Sequence, residues 1–153
     1  MLAEKKLEEL GIKLPACSKP LAMYIPVVRV GNTIYVSGQG PFVNGQAKYA
    51  GKVSETAGFE EGKAAARLCV VNLLAALKSE LGDLDKVRQI ANITVYVNSA
   101  PGFNKQHLIA NAASELLFNV FGEKGRHSRT ALGCSDMGAD IMVEVSAVVI
   151  AED

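Results

Sequence analysis

Near the end of the chain, in IMVEVSAVVI, side chains alternate so that Ile141, Val143, Val145, Ala147 and Val149 share one face of a strand. Met142, Glu144, Ser146, Val148 and Ile150 share the other. The same period of two recurs in NITVYVN, where Ile93, Val95 and Val97 oppose Asn92, Thr94 and Tyr96. Upstream, MYIPVVRVGNTIYVSGQGP reads as two β-rich runs around Gly31-Asn32, and a two-residue connection of that kind predicts a hairpin. Pro26 has no N–H to give a ladder, so the first run belongs at a sheet edge or turns its missing donor outward. Glycines at 40, 45 and 51 make GPFVNGQAKYAGKV a loop or a ragged hairpin. The tail from Ser128 to Ile150 reads as two strands joined at SDMGAD.

Two longer segments have the character of helices. Thr56 to Leu81 carries Glu60 and Glu61 near its start and Lys78 near its end, the charge order that suits a helix dipole, and Gly82 stops it. Its middle, AAARLCVVNLLAAL, is apolar almost all round, so one face against a sheet cannot account for it and a second covering surface is expected. Cys69 belongs to that run as a small core residue. Pro101 in a first turn and Gly122 past an end bracket a second helix that runs to Phe121. Leu2, Leu7 and Leu10, ended by Gly11, form a short amphipathic helix, and KLPACSKP links it to the first β-rich run. This order of elements predicts an α+β domain with two main helices on one face of a mixed or mainly antiparallel sheet. Residues 1–20 are then an N-terminal helix and linker, and residues 21–153 the domain proper.

A chain of 153 residues, 49% of them hydrophobic and 21% charged, suits one soluble domain with its own core. Sixteen basic residues balance sixteen acidic ones without a basic block, which weighs against a nucleic acid or an anionic membrane as partner. Three widely spaced cysteines, Cys17, Cys69 and Cys134, argue against a disulfide framework and for a reducing compartment, so a cytoplasmic location is expected. MLAEKKLEEL carries charge where a signal peptide needs an apolar core, and no apolar stretch reaches the roughly 18 residues of a membrane span.

Most familiar chemistries lack their signatures. His107 and His127 are the only histidines and neither clusters with cysteine or carboxylate at metal-ligand spacing, so no metal site is expected. GQGPFVNG lacks the glycine patterns that cradle phosphate, and no serine sits in a Gly-x-Ser-x-Gly elbow. Glu144 remains, a carboxylate on a strand face with apolar neighbours. If that face is buried, Glu144 needs a cationic or hydrogen-bonding partner, or must take up a proton. The preceding strand offers Arg129 and, nearer the turn, Arg126, and a guanidinium fork holds a carboxylate through charge-assisted bonds worth about 1.5–3 kcal/mol each. A substrate carboxylate can use that fork, leaving Glu144 to handle protons. Two plainer readings stay open at this point: a structural ion pair between Glu144 and an arginine, or a Glu144 that faces solvent.

YIPVVRVGNTIYVSGQGP, EEGKAAARLCVVNLLAAL, GRHSRTALG and MVEVSAVV, in that order and spacing, resemble the RidA/YjgF (L-PSP) family of enamine/imine deaminases over nearly everything after residue 20. NLLAALK, VNSAPGF, ANAASELL and VFGEKGRHSR resemble a divergent YjgF-like subgroup. The resemblance implies a chorismate-mutase-like α+β fold and a homotrimer, with sheets packed about a threefold axis and sites in clefts between subunits. It implies that Arg129 clamps a substrate carboxylate, that Glu144 positions or activates water, that Tyr24 lines the cleft, and that Ser37 of SGQ belongs to the site. Asn111 matches a site position with its spacing to the arginine shifted by one, and Ala131 stands where the family has a cysteine thought to act through its backbone carbonyl. The implied reaction is hydrolysis of a 2-imino acid, tautomer of a 2-enamino acid such as 2-aminoacrylate, to a 2-oxo acid and ammonia, with no cofactor.

The chain departs from the family where SDMGAD replaces a Leu-Pro before the last strand and where Ala22-Met23 replaces a Gly-Pro before Tyr24. Two other functions compete with the deaminase: a non-catalytic trimer that binds small carboxylate metabolites, and an endoribonuclease or translation inhibitor. The balanced charge and the lack of a basic aromatic stripe count against the last.

Overall fold

In the computed structural model, which describes residues 2–17, 19 and 22–153, the chain opens with helix α1 (Leu2–Glu9). Strands β1 (Val27–Val30), β2 (Thr33–Gln39), β3 (Phe42–Val43) and β4 (Gln46–Ala47) follow. Then come α2 (Phe59–Leu81), β5 (Val87–Asn98), α3 (Gln106–Phe121), β6 (Ser128–Cys134) and β7 (Val143–Ala151). Five strands pair in the order β1-β2-β7-β5-β6, antiparallel except for β5 with β6, and β3 and β4 form a separate two-stranded ribbon. The sheet is thus mixed, and β1 lies at its edge as Pro26 requires.

Alternation decides which face is covered. Ile34, Ile90, Ile93, Val95, Val97, Val143, Val145 and Val149 are all completely buried beneath α2 and α3. Burying one such aliphatic side chain stabilises the fold by about 1.5–3 kcal/mol. The second cover that the apolar middle of α2 calls for is supplied by α3, which packs alongside α2 on the same sheet face. Cys69 is buried in that layer, its thiol donating to the Val143 carbonyl at 3.4 Å, and burial pushes its pKa up. Val28, Val30, Tyr35 and Leu132, at least a third exposed, stand on the opposite face, which no helix or strand among the described residues covers.

Two helix boundaries differ from the sequence-based expectation. The first long helix begins at Phe59 rather than Thr56, because Ser54 Oγ accepts the Thr56 and Ala57 N–H groups and holds them in a turn. The second begins at Gln106 rather than Pro101, since Gly102 takes φ 85° and Phe103 N–H bonds back to the Ala100 carbonyl. The two tail strands are joined at SDMGAD but are not neighbours; they flank β5 on either side. Buried Asn98 pins that connection, donating to Asp140 Oδ1 and the Ile141 carbonyl while accepting from Lys52 Nζ.

Helix α1 joins the same core through Ala3 and Leu7, each 2% exposed. Asp85 caps its first turn by accepting the Leu2 and Ala3 N–H groups at 2.6 and 2.8 Å, and the bond from Ala3 holds the Asp85 carboxyl below its ordinary range. Among the described residues no helix is long and apolar enough to cross a membrane.

Candidate active site

Past Val36, β1 no longer covers the edge of β2, and the ladder with β7 steps from Val36 opposite Ala147 to Gln39 opposite Val145. Three residues on β2 thus span two on β7, a bulge of the kind that re-aims side chains beside sites. The bulge carries Ser37 and Gly38, and a Cβ built on Gly38 would lie 2.6 Å from Glu144 Cδ. Only glycine leaves the Glu144 carboxyl its present place. Tyr24, Pro26, Gly38, Phe42, Asn72 and Glu144 line one cleft, with a volume of about 690 Å³.

Glu144 is half-buried, and among the described residues no hydrogen bond or ion pair reaches its carboxylate. Burial raises its pKa above the ordinary carboxylate value, because the anion loses water that no protein donor replaces. Among the described residues Glu144 has no arginine partner, which sets aside the structural ion pair; it lies half-buried in the cleft, on the sheet face that the helices leave open. Asn72, on α2, donates to the Gly40 and Phe42 carbonyls and so fastens the cleft wall. Ser37 does not line the cleft; its hydroxyl donates to the Ile25 carbonyl at 2.8 Å and its N–H to the Pro26 carbonyl, tying the segment that carries Tyr24 to β2. Tyr24 itself is 56% exposed. The N-terminal segment that sequence reasoning treated as a linker supplies a further wall through Lys13, Pro15 and Cys17.

Arg129 lies elsewhere. On edge strand β6 it stands opposite Ile93, whose side chain points beneath the helices, whereas Glu144 stands opposite Tyr96 on the uncovered face. With β5 between their strands and three residues of offset, the two Cα atoms are on the order of 14 Å apart. The Arg129 guanidinium meets α3: Nη1 donates to Asn111 Oδ1 at 3.0 Å and Ser114 Oγ at 3.1 Å, and Nη2 to the His107 carbonyl at 3.3 Å. Asn111 therefore accompanies Arg129, and Ala131 follows on the same strand, opposite Val95 and partly packed on the core. The expected residues form two groups, Glu144 with Tyr24 and Arg129 with Asn111, which one chain does not bring together. Sequence reasoning missed Ser114 and His127 beside Arg129; the signal was present in Asn111 and Ser114, three residues apart on one helix face.

The profile of the family described as "YjgF/chorismate mutase-like, putative endoribonuclease" matches residues 4–149. The chain belongs to that family, and the matched span takes in most of α1. It is 40% identical over 144 residues to Protein TCP17 of Trypanosoma cruzi, covering 94% of this chain and 90% of that one. Protein Atu1372 of Agrobacterium tumefaciens, solved with unknown function, superposes with a TM-score of 0.91 at 40% identity, over 99% of this chain and 94% of that one. A Shewanella oneidensis protein called a "putative endoribonuclease" superposes with a TM-score of 0.93 at 31% identity, over 98% and 99%.

Proposed function

We propose that the protein is a cofactor-independent hydrolase of reactive 2-imino acids, acting on the tautomers of 2-enamino acids such as 2-aminoacrylate. The observation that carries this reading is Glu144, a carboxylate lining a cleft with no partner among the described residues and with its pKa raised by burial, placed to accept and return a proton.

Because Arg129 and Glu144 occupy opposite faces of one sheet, the reading needs a second copy of the chain, in which Arg129 of one subunit and Glu144 of its neighbour face the same cleft. The uncovered face, with Val28, Val30, Tyr35 and Leu132 exposed on it, supports such an assembly, and we assign it to a homotrimer. Arg129 holds the substrate carboxylate in its fork and fixes the imine carbon for attack. Water adds to that carbon as its proton passes to Glu144, giving a tetrahedral carbinolamine. Glu144 returns that proton to the nitrogen, then takes the carbinolamine hydroxyl proton as the C=O bond forms and hands it to the nitrogen as the C–N bond breaks, so that ammonia leaves behind a 2-oxo acid. The balance is imine plus water to oxo acid plus ammonia, and the carboxyl ends as it began. Tyr24 and the wall from Lys13 to Cys17 bound the space for the side chain.

An endoribonuclease, the description the family carries, needs a surface that gathers phosphates, and the sixteen basic and sixteen acidic residues of this chain cancel. The test couples the protein to a dehydratase that forms 2-aminoacrylate from serine and follows release of the oxo acid. Acceleration over buffer that is lost in Arg129→Ala supports the reading; no acceleration with any of a range of imino acids overturns it.

A further inference from the structure

The guanidinium of Arg129 is held by a chain of hydrogen bonds whose direction can be read from its chemistry. The Gly125 carbonyl can only accept, so His127 Nδ1, 2.6 Å away, carries the proton. In the neutral ring Nε2 is then an acceptor, and Ser114 donates its hydroxyl proton to it at 2.9 Å. The lone pairs left on Ser114 Oγ face Arg129 Nη1 at 3.1 Å. We propose that Ser114 and His127 are positioning residues for Arg129, orienting its fork for a substrate carboxylate through a relay that requires a neutral His127.

The surrounding structure fits this role. A planar group held at three points, the Asn111 oxygen, the Ser114 oxygen and the His107 carbonyl, has its plane fixed before any ligand arrives. Gly125 is buried against α3, where an added Cβ would run into the Leu117 carbonyl, so the turn delivers its own carbonyl to His127 at close range. Burial draws the His127 pKa below its ordinary value, the bond to Gly125 opposes this, and the nearby Arg129 charge adds to the lowering. Arg129 on β6 is the charged group acting on the ring; α3 presents the Ser114 hydroxyl and the turn the Gly125 carbonyl. A protonated ring would donate from Nε2, reverse the Ser114 hydroxyl and place a second positive charge beside Arg129.

The proposal rests on the reading of Arg129 as a carboxylate clamp, and its experiment separates the two. ¹⁵N NMR of the histidine-labelled full-length protein at pH 7 should show His127 neutral with the proton on Nδ1; a charged ring or the Nε2–H tautomer overturns the relay. Pyruvate binding should weaken about tenfold in Ser114→Ala, the loss of one bond to a charged group, with Ser114→Thr recovering most of it. His127→Phe should weaken binding similarly and His127→Gln, which keeps an acceptor, much less. The double variant Ser114→Ala/His127→Phe should be no worse than either single change, since both break one relay. If Arg129→Ala itself leaves pyruvate binding unchanged, the clamp of the proposed function fails. If Arg129→Ala weakens binding while Ser114→Ala does not, or the double variant is additive, the positioning role fails alone.

Discussion

Glu144 and Gly38 face each other across the bulge between β2 and β7, with room for the carboxyl only because Gly38 lacks a side chain. Gly38→Ala should therefore act on the site more than on the fold. A Cβ 2.6 Å from Glu144 Cδ displaces the carboxyl, and we expect kcat to fall about tenfold to a hundredfold while the melting temperature moves by only a few degrees. Oxo-acid release and thermal melts on the same preparation check this.

Glu144→Gln should abolish turnover and, at neutral pH, stabilise the protein slightly. The folded carboxyl has a raised pKa, so folding favours its protonated form. Its favourable contribution is complete below the unfolded pKa and is lost as pH rises through the folded value. Relative to the wild type, Gln gains at pH 7 and gains nothing near pH 4. Because the group is half-exposed, the gain should be small, about 1–2 °C in Tm, and melts at the two pH values test its sign.

Arg129→Lys retains the charge and loses the planar fork. One ammonium cannot hold Asn111, Ser114 and the His107 carbonyl together while presenting two parallel donors to a carboxylate. KM for imino acids should rise by about one to two orders of magnitude, with a smaller change in kcat.

Leu7 is 2% exposed although it sits in the N-terminal helix, so Leu7→Ala should cost about 2–5 kcal/mol in a single cooperative unfolding transition. Denaturant titration followed by near- and far-UV signals checks that α1 unfolds with the rest rather than before it.

Much of the fold was legible because its periods were clean. Alternation in NITVYVN and IMVEVSAVVI assigned the covered face residue by residue, and the all-round apolar character of α2 called for a second cover, which the structure supplies as α3. Helix starts were less legible, since the Ser54 turn and the Gly102 turn spend local hydrogen bonds that hydrophobic periodicity does not register. The candidate site divided in the same way. Glu144 stood out as a charge among apolar neighbours, but its distance from Arg129 follows from β6 and β7 flanking β5, a pairing that no local pattern encodes. Likewise, Ser114 and His127 became visible beside Arg129 only when α3 was laid along β6.

The central claim is that Arg129 and Glu144 act together although one sheet keeps them apart, and subunit complementation tests it most directly. The Arg129→Ala and Glu144→Gln variants, each expected to be inactive, are mixed after dissociation and allowed to reassemble at equal amounts. A site that takes Arg129 from one subunit and Glu144 from its neighbour is intact only when each contributor carries the other's lesion, so about a quarter of wild-type activity should return. If no activity returns although mixed oligomers are demonstrated by mass, the two residues do not share a site across subunits and the account is wrong.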